Sequence, residues 1–207
     1  MKKTLIFAFA LCLILSSCTG KTEFSGSFIC GEADACAVCD DGLLTASPGS
    51  VKCFDSAGKK VFERELELES AHITQGGALA AAYAEGGRSI VLSDGEVISA
   101  DNDIICAKLN ESGCLALCTK EPGYMGSVTV YSLEKKPVYK WYCARQRLIS
   151  AAVSPDSERL AVLTDKGIRL FSLDSEKDRG MLECENLRDI VWLGLRVCVG
   201  KEFEQQF

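Results

Sequence analysis

An all-β fold built from a repeated unit of about four short strands is what this 207-residue chain predicts. Three observations carry that reading. Apolar runs are short and closed by Gly, Asp or Pro, as at Ser47-Pro48-Gly49, Glu85-Gly86-Gly87 and Asp94-Gly95, residues that supply turn geometry. A small apolar element recurs with Leu44, Leu79, Leu115, Leu160 and Arg196 in equivalent places, 35, 36, 45 and 36 residues apart. After residue 18 no stretch keeps a helical period. A unit of this length has two apolar faces and buries them only between neighbours, so repetition supplies the core.

In chain order, Lys2 and Lys3 precede an apolar run from Thr4 to Leu15 that is too short to span a bilayer. Residues 1–17 therefore read as a secretory signal peptide. Leu15-Ser16-Ser17-Cys18 resembles a bacterial lipoprotein box, which implies that Cys18 is lipidated and becomes the new N-terminus. The two chains of a diacylglycerol give the stable anchoring that a single acyl chain does not. Residues 18–23 form a tether, and residues 24–207 the repeat domain, with Phe24 to Cys30 a lone strand at its start.

The first copy runs from Gly42 through Leu43–Ala46, turns at Ser47-Pro48-Gly49, and continues as Val51–Phe54 and Lys60–Arg64. The second places Ala78–Ala81 after Gly77, then Ser89–Leu92, then the Asp94-Gly95 hairpin signal. Helix propensity favours Ala78–Ala84, but Gly76-Gly77 and Gly86-Gly87 bracket it too tightly for a helix. In the third, Cys114–Leu117 follows Gly113, and a longer loop, Glu121 to Gly126, leads to Val128–Tyr131 and Pro137–Trp141. The fourth, Val153 to Leu173 with its edge at Met181–Cys184, is the best formed. A fifth begins at Ile190–Leu193 and Leu195–Val199.

Within the fourth copy, Ser154-Pro155-Asp156-Ser157-Glu158-Arg159-Leu160-Ala161-Val162 resembles the S-P-D-G-x-x-L-A motif of WD-repeat and TolB-like β-propeller blades. The resemblance extends loosely over residues 36–199 and implies a small β-propeller of about five four-stranded blades. The Gly-His and Trp-Asp dipeptides of WD repeats are absent, which turns the resemblance toward bacterial surface propellers. Two closures stay open: Phe24 to Cys30 completes the last blade, or the chain is part of a larger ring.

Composition narrows the partners. The formal charge is −6, and loss of Lys2 and Lys3 with the leader takes it to −8. An acidic surface argues against nucleic acid and anionic lipid, which reward clustered Lys and Arg. Of the 12 cysteines, Cys12 leaves with the leader and Cys18 carries lipid. Most of the rest sit in apolar strand patterns, as in Cys114-Leu-Ala-Leu-Cys118, where a thiol serves as a small buried hydrophobe. They are expected to be largely reduced, although export also permits disulfides.

Candidate chemistry is sparse. Cys36 and Cys39, with Cys30 and Cys53 nearby, are weak candidates for a metal or redox pair. The bland alternative is structural thiols or a disulfide, and no second close Cys or His pair follows. His72, the single histidine, falls on a strand fit to line a central channel, and no G-x-S-x-G elbow accompanies it. Asp101-Asn102-Asp103 and Asp40-Asp41 offer oxygen ligands but lack a full calcium loop and read as turn acids. No P-loop or dinucleotide fingerprint occurs. The loop Glu121–Gly126 carries an aromatic and a methionine, and Glu121, Tyr124 and Met125 are the candidate contact residues.

The expectation is a lipid-anchored, extracytoplasmic, non-enzymatic protein-binding or scaffold module without cofactor. It would be held at the outer face of the cell membrane, or at the outer membrane of a two-membrane host, through Cys18. Alternatives are an accessory lipoprotein of envelope assembly and an enzyme on cell-wall or glycan polymers.

Overall fold

A computed structural model describes residues 33–40, 42–66, 71–175, 177–184, 186–194 and 196–200. The expected signal peptide, Cys18, the tether and the strand at Phe24–Cys30 lie outside the described residues. Within them every regular element is a strand. The first blade is β1 (Ala35–Cys39), β2 (Gly42–Ser47), β3 (Ser50–Asp55) and β4 (Lys60–Glu65). The second is β5 (Ala71–Gly76), β6 (Leu79–Ala84), β7 (Ser89–Leu92) and β8 (Val97–Ser99). The third is β9 (Ile104–Leu109), β10 (Leu115–Thr119), β11 (Gly126–Tyr131) and β12 (Pro137–Cys143). The fourth is β13 (Leu148–Val153), β14 (Arg159–Thr164), β15 (Gly167–Ser172) and β16 (Lys177–Glu183). A two-stranded sheet, β17 (Asp189–Leu193) and β18 (Arg196–Gly200), follows.

Each four-stranded sheet is an antiparallel meander in sequence order. Successive sheets touch chiefly through their first strands, β1 on β5, β5 on β9, β9 on β13 and β13 on β17. The first strands therefore converge on an axis, and the fourth strands form the rim. This is a β-propeller arrangement.

The recurring apolar element falls in the second strands β2, β6, β10, β14 and β18, as the spacing predicts. In β2, β6, β10 and β14 the reason is burial on both faces. In β6, Ala80 and Ala82 pack toward the first blade with Leu44 and Val51, while Ala81 and Tyr83 pack toward the third with Leu115 and Leu117. In β14, Leu160 and Val162 meet Val128 and Val130, while Ala161 and Leu163 meet Ile190. Side chains alternate across a strand, so a strand between two sheets needs apolar residues at every position. The alanine run of β6 is this pattern with small residues, and sheet contacts override its helix propensity. The rim strands β4, β12 and β16 are largely exposed. They carry charges such as Lys60, Glu63, Lys140 and Lys177, which discourage pairing with another edge.

Turns alternate between two faces of the ring. One face gathers the turns between first and second strands and between third and fourth. There the motif turn of the fourth blade is held by its own side chains. Asp156 accepts from the Ser154 hydroxyl, from Glu158 N at 3.1 Å and from Arg159 Nη2 at 2.8 Å. Arg159 N donates to Ser154 Oγ at 3.0 Å. Ser157 has φ +60°, the left-handed conformation that glycine supplies in the motif. Asn110, buried in the preceding blade, ties in with Nδ2 donating to Ser154 O at 2.7 Å and to Ser157 Oγ at 2.9 Å. Its Oδ1 accepts from Ser112 N and Cys114 N at 3.1 and 2.8 Å.

Candidate functional site

The opposite face gathers the turns between second and third strands and the links from one blade to the next. Its most developed feature is the loop between β10 and β11. Glu121 O accepts from Tyr124 N at 3.0 Å, Gly123 takes φ +80°, and Met125 N donates to Cys143 O at 2.8 Å. Gly126 starts β11 at φ +147°, where a Cβ would stand 3.0 Å from Leu148 side-chain atoms. The loop is thus closed by its own backbone and pinned to β12.

The three expected contact residues divide. Glu121 is turned inward and its side chain is only 17% exposed. Its Oε2 accepts from Ser127 Oγ at 3.0 Å and pairs with Lys140 Nζ at 3.3 Å, so it frames the loop and is not free for a ligand. Tyr124 and Met125 are 46% and 50% exposed. The Tyr124 ring leans on Tyr142 at 4.9 Å, and Lys140 Nζ stands 4.8 Å from the Tyr142 centroid. Burial works against the Lys140 charge, but Tyr142 and Glu121 prevail and raise its pKa.

Tyr124 and Met125 form one wall of an open cleft of about 350 Å³ between the second and third blades. Arg88, Asn102, Asp103 and Lys120 line the side across from them. Arg88 lies on the connection from β6 to β7, Asp103 on the link from β8 to β9, and Lys120 directly follows β10. Arg88 Nε donates to Asp103 Oδ1 at 3.2 Å and Lys120 Nζ to Oδ2 at 3.3 Å. These two bonds hold the Asp103 carboxyl below its ordinary pKa. The frame is rigid: Gly86 N to Ile104 O, Ile104 N to Gly87 O and Lys120 N to Asp103 O are each 2.8 Å. A neighbouring hollow of about 360 Å³, over Glu85, Ile104 and Ile105, shares Lys120.

The other sequence candidates fall elsewhere. Cys36 and Cys39 are three apart on β1, so alternation sends them to opposite faces, Cys36 exposed and Cys39 buried. Cys39 instead meets Cys53, whose thiol is pushed up to about 11 by burial and by Cys39. The weak Cys36 and Cys39 candidate is thus split between two faces, and no group of three or more His, Cys, Asp or Glu among the described residues is placed to hold a metal ion. Cys53, Cys118 and Cys143 are likewise buried strand residues. The Cys118 thiol is raised well above its usual range by its hydrogen bond to Cys106 and by burial. His72 lies exposed on the axial strand β5 with its ring stacked on Tyr83 at 5.5 Å. Asp103 is an ion-pair acceptor, Asp40 N donates to Ala78 O at 2.9 Å, and Asp41 lies outside the described residues.

A family model matches residues 29–164, from before β1 to the end of β14. The chain belongs to a family of unknown function, DUF5711. The cleft, drawn from residues between 85 and 125, falls wholly inside that match. No curated protein matches the sequence. Among solved structures, Kluyveromyces lactis Hsv2 with loop 6CD replaced by a Gly-Ser linker superposes with TM-score 0.61 at 16% identity, over 83% of this chain. The Cps50 (Swd1) β-propeller domain of Myceliophteria thermophila also gives 0.61, at 12% identity over 86% of this chain. The chain spans 64% of the length of each. At this identity the likeness is one of fold, and the fold is a β-propeller, as the Ser-Pro-Asp motif implies.

Proposed function

We propose that this chain is a protein-binding module that docks partners on the cleft face between its second and third blades, and that it does so outside the cytoplasm of a bacterium on a lipid anchor at Cys18. The observation that carries the docking role is the presentation of Tyr124 and Met125. Both are about half exposed while the loop beneath them is fixed by Glu121, Ser127, Lys140 and the Cys143 carbonyl. Rigidly held, exposed aromatic and thioether groups lose little entropy on binding and are frequent interface anchors. The β-propeller fold supports the same reading, since loops on a rigid scaffold are where binding concentrates. The anchor rests on the Leu15-Ser16-Ser17-Cys18 ending after a charged and apolar leader.

Two measurements test the two parts. Photo-crosslinking in cells from benzoylphenylalanine at position 124 should give discrete protein adducts, and the same probe at exposed Val61 on the first-blade rim should not. Equal adducts at both positions would overturn the docking role. Metabolic labelling with a palmitate analogue should mark the wild type and not Cys18→Ala, which should leave the membrane fraction. Labelling that persists in the variant would overturn the anchor.

A further inference from the structure

Arg88 makes only part of the use it can of Asp103. Its Nε is bonded there, but among the described residues neither Nη has a partner, and the side chain is 62% exposed. Lys120 spends one of three ammonium hydrogens on the same carboxylate and is 68% exposed. Two cations thus share one anion on this wall. Glu121 does not restore the balance, because it is paired with Lys140. Glu85 lies beside Lys120 across the adjoining hollow and forms no ion pair with either cation. The cleft therefore carries an uncompensated positive wall on a chain of formal charge −6. Facing it are the apolar faces of Tyr124 and Met125.

We infer that the cleft between the second and third blades takes an acidic–apolar peptide segment, an Asp or Glu carboxylate on the Arg88 fork beside an aromatic or branched aliphatic side chain on Tyr124 and Met125. This inference rests on the protein-docking reading. A guanidinium with both Nη groups unspent presents the planar donor pair that matches a carboxylate. Lys120 adds a point charge from the side. Thioether and ring surfaces accept an apolar side chain with little demand on its shape. The single excess charge suits one carboxylate and not the regular anion array of a nucleic acid, whose binding needs several cations in a row. An open cleft of about 350 Å³ has room for two side chains on one face of an extended segment, two residues apart.

The test uses the purified full chain in detergent and a phage-displayed library of random dodecapeptides. Enriched peptides should carry Asp or Glu within two residues of Phe, Tyr, Trp, Leu or Ile. Synthetic copies, measured by fluorescence polarisation, should lose about tenfold in affinity with Arg88→Ala and a similar factor with Tyr124→Ala, since each removes roughly one anchor worth of about 1.4 kcal/mol. Arg88→Lys should recover only part of the loss. Lys166→Ala, at a separate hollow beside Met181, should bind as the wild type does. Both Arg88 and Tyr124 are exposed, so melting temperatures report whether any variant has lost its fold. Enrichment of basic peptides, no enrichment, or capture of glycans in place of peptides on an array would each overturn the inference. Crosslinked protein adducts at position 124 that survive Arg88→Ala unchanged would sink it while leaving the docking reading intact. Absence of both peptides and adducts would remove the two together.

Discussion

The two faces of the ring spend their polar groups differently. On the hairpin face, the one that carries the Ser-Pro-Asp turn, Asn110 uses its whole amide, two bonds given to the fourth blade and two accepted within its own turn. Lys135 crosses from the third blade to Asp94 and Glu96 of the second at 2.5 and 2.6 Å. Both side chains thus reach from one blade to the next. On the cleft face, Arg88 and Lys120 converge on a single carboxylate, and Tyr124 and Met125 are left uncovered. Satisfied groups fix the angle between neighbouring sheets, and unspent ones are available to a partner. Stability and binding should therefore separate by face, and substitutions can test that separation.

The largest expected effect on stability is at Asn110. Asn110→Ala leaves the Cys114 amide without its acceptor and removes the bond from the third blade to the Ser154 carbonyl, which keeps Ser157 N at 2.9 Å. It should cost roughly 2–4 kcal/mol by urea denaturation, about 1–3 kcal/mol for the orphaned amide and about 0.5–1.5 kcal/mol for the lost bond to Ser154. Peptide affinity at the cleft should be unchanged under native conditions. A cost below about 1 kcal/mol would mean that the hairpin face is not what holds these blades.

Next comes the motif turn. The Ser154 hydroxyl and then Arg159 hold the Asp156 carboxyl down to about 2, against an ordinary value of 3.8. The folded state thus binds the proton less tightly than the unfolded chain does. The contribution of Asp156 to stability is complete above the unfolded value and is lost as pH falls toward about 2. The urea midpoint of the wild type should drop between about pH 5 and pH 2.5 by more than that of Asp156→Asn. Parallel drops would show that the turn is not held by this charge. Lys135→Met should cost less, about 0.5–1 kcal/mol at low salt, because its partners are partly exposed. Added salt should shrink the difference from wild type.

How much of this was legible in the chain depends on whether the interacting groups are near in sequence. The second strands stand out because burial on both faces forces runs such as Leu115-Ala-Leu117 and Leu160-Ala-Val162. The first strands are less visible. They mix buried residues with axial polar ones, as β9 does with Ile104 and Lys108 and β5 with His72 and Gln75. At the site, Tyr124 and Met125 are conspicuous as large apolar residues in a turn. Arg88, Asp103 and Lys120 are not, because they come from three loops 15 and 17 residues apart and meet only when two blades pack. Glu121 reads as an exposed loop acid, but its partners Ser127 and Lys140 lie on β11 and β12. Cys36 and Cys39 read as a pair by spacing alone, and strand alternation separates them.

The smallest effect on stability, and the one that sharpens the contrast most, is at Tyr124. Its ring touches Tyr142 but leaves no buried polar group behind when removed. Tyr124→Ala should change unfolding free energy by no more than about 0.5 kcal/mol, as exposed substitutions away from stitches and core do. The same substitution should cost about tenfold in peptide affinity at the cleft. Asn110→Ala is its mirror image, costly in folding and silent in binding. A double variant should then show additive stability losses, because the two side chains lie on opposite faces and share no partner. Coupling of more than about 0.5 kcal/mol between them would mean that the cleft is held open by the hairpin face. The two faces would then be one mechanical unit.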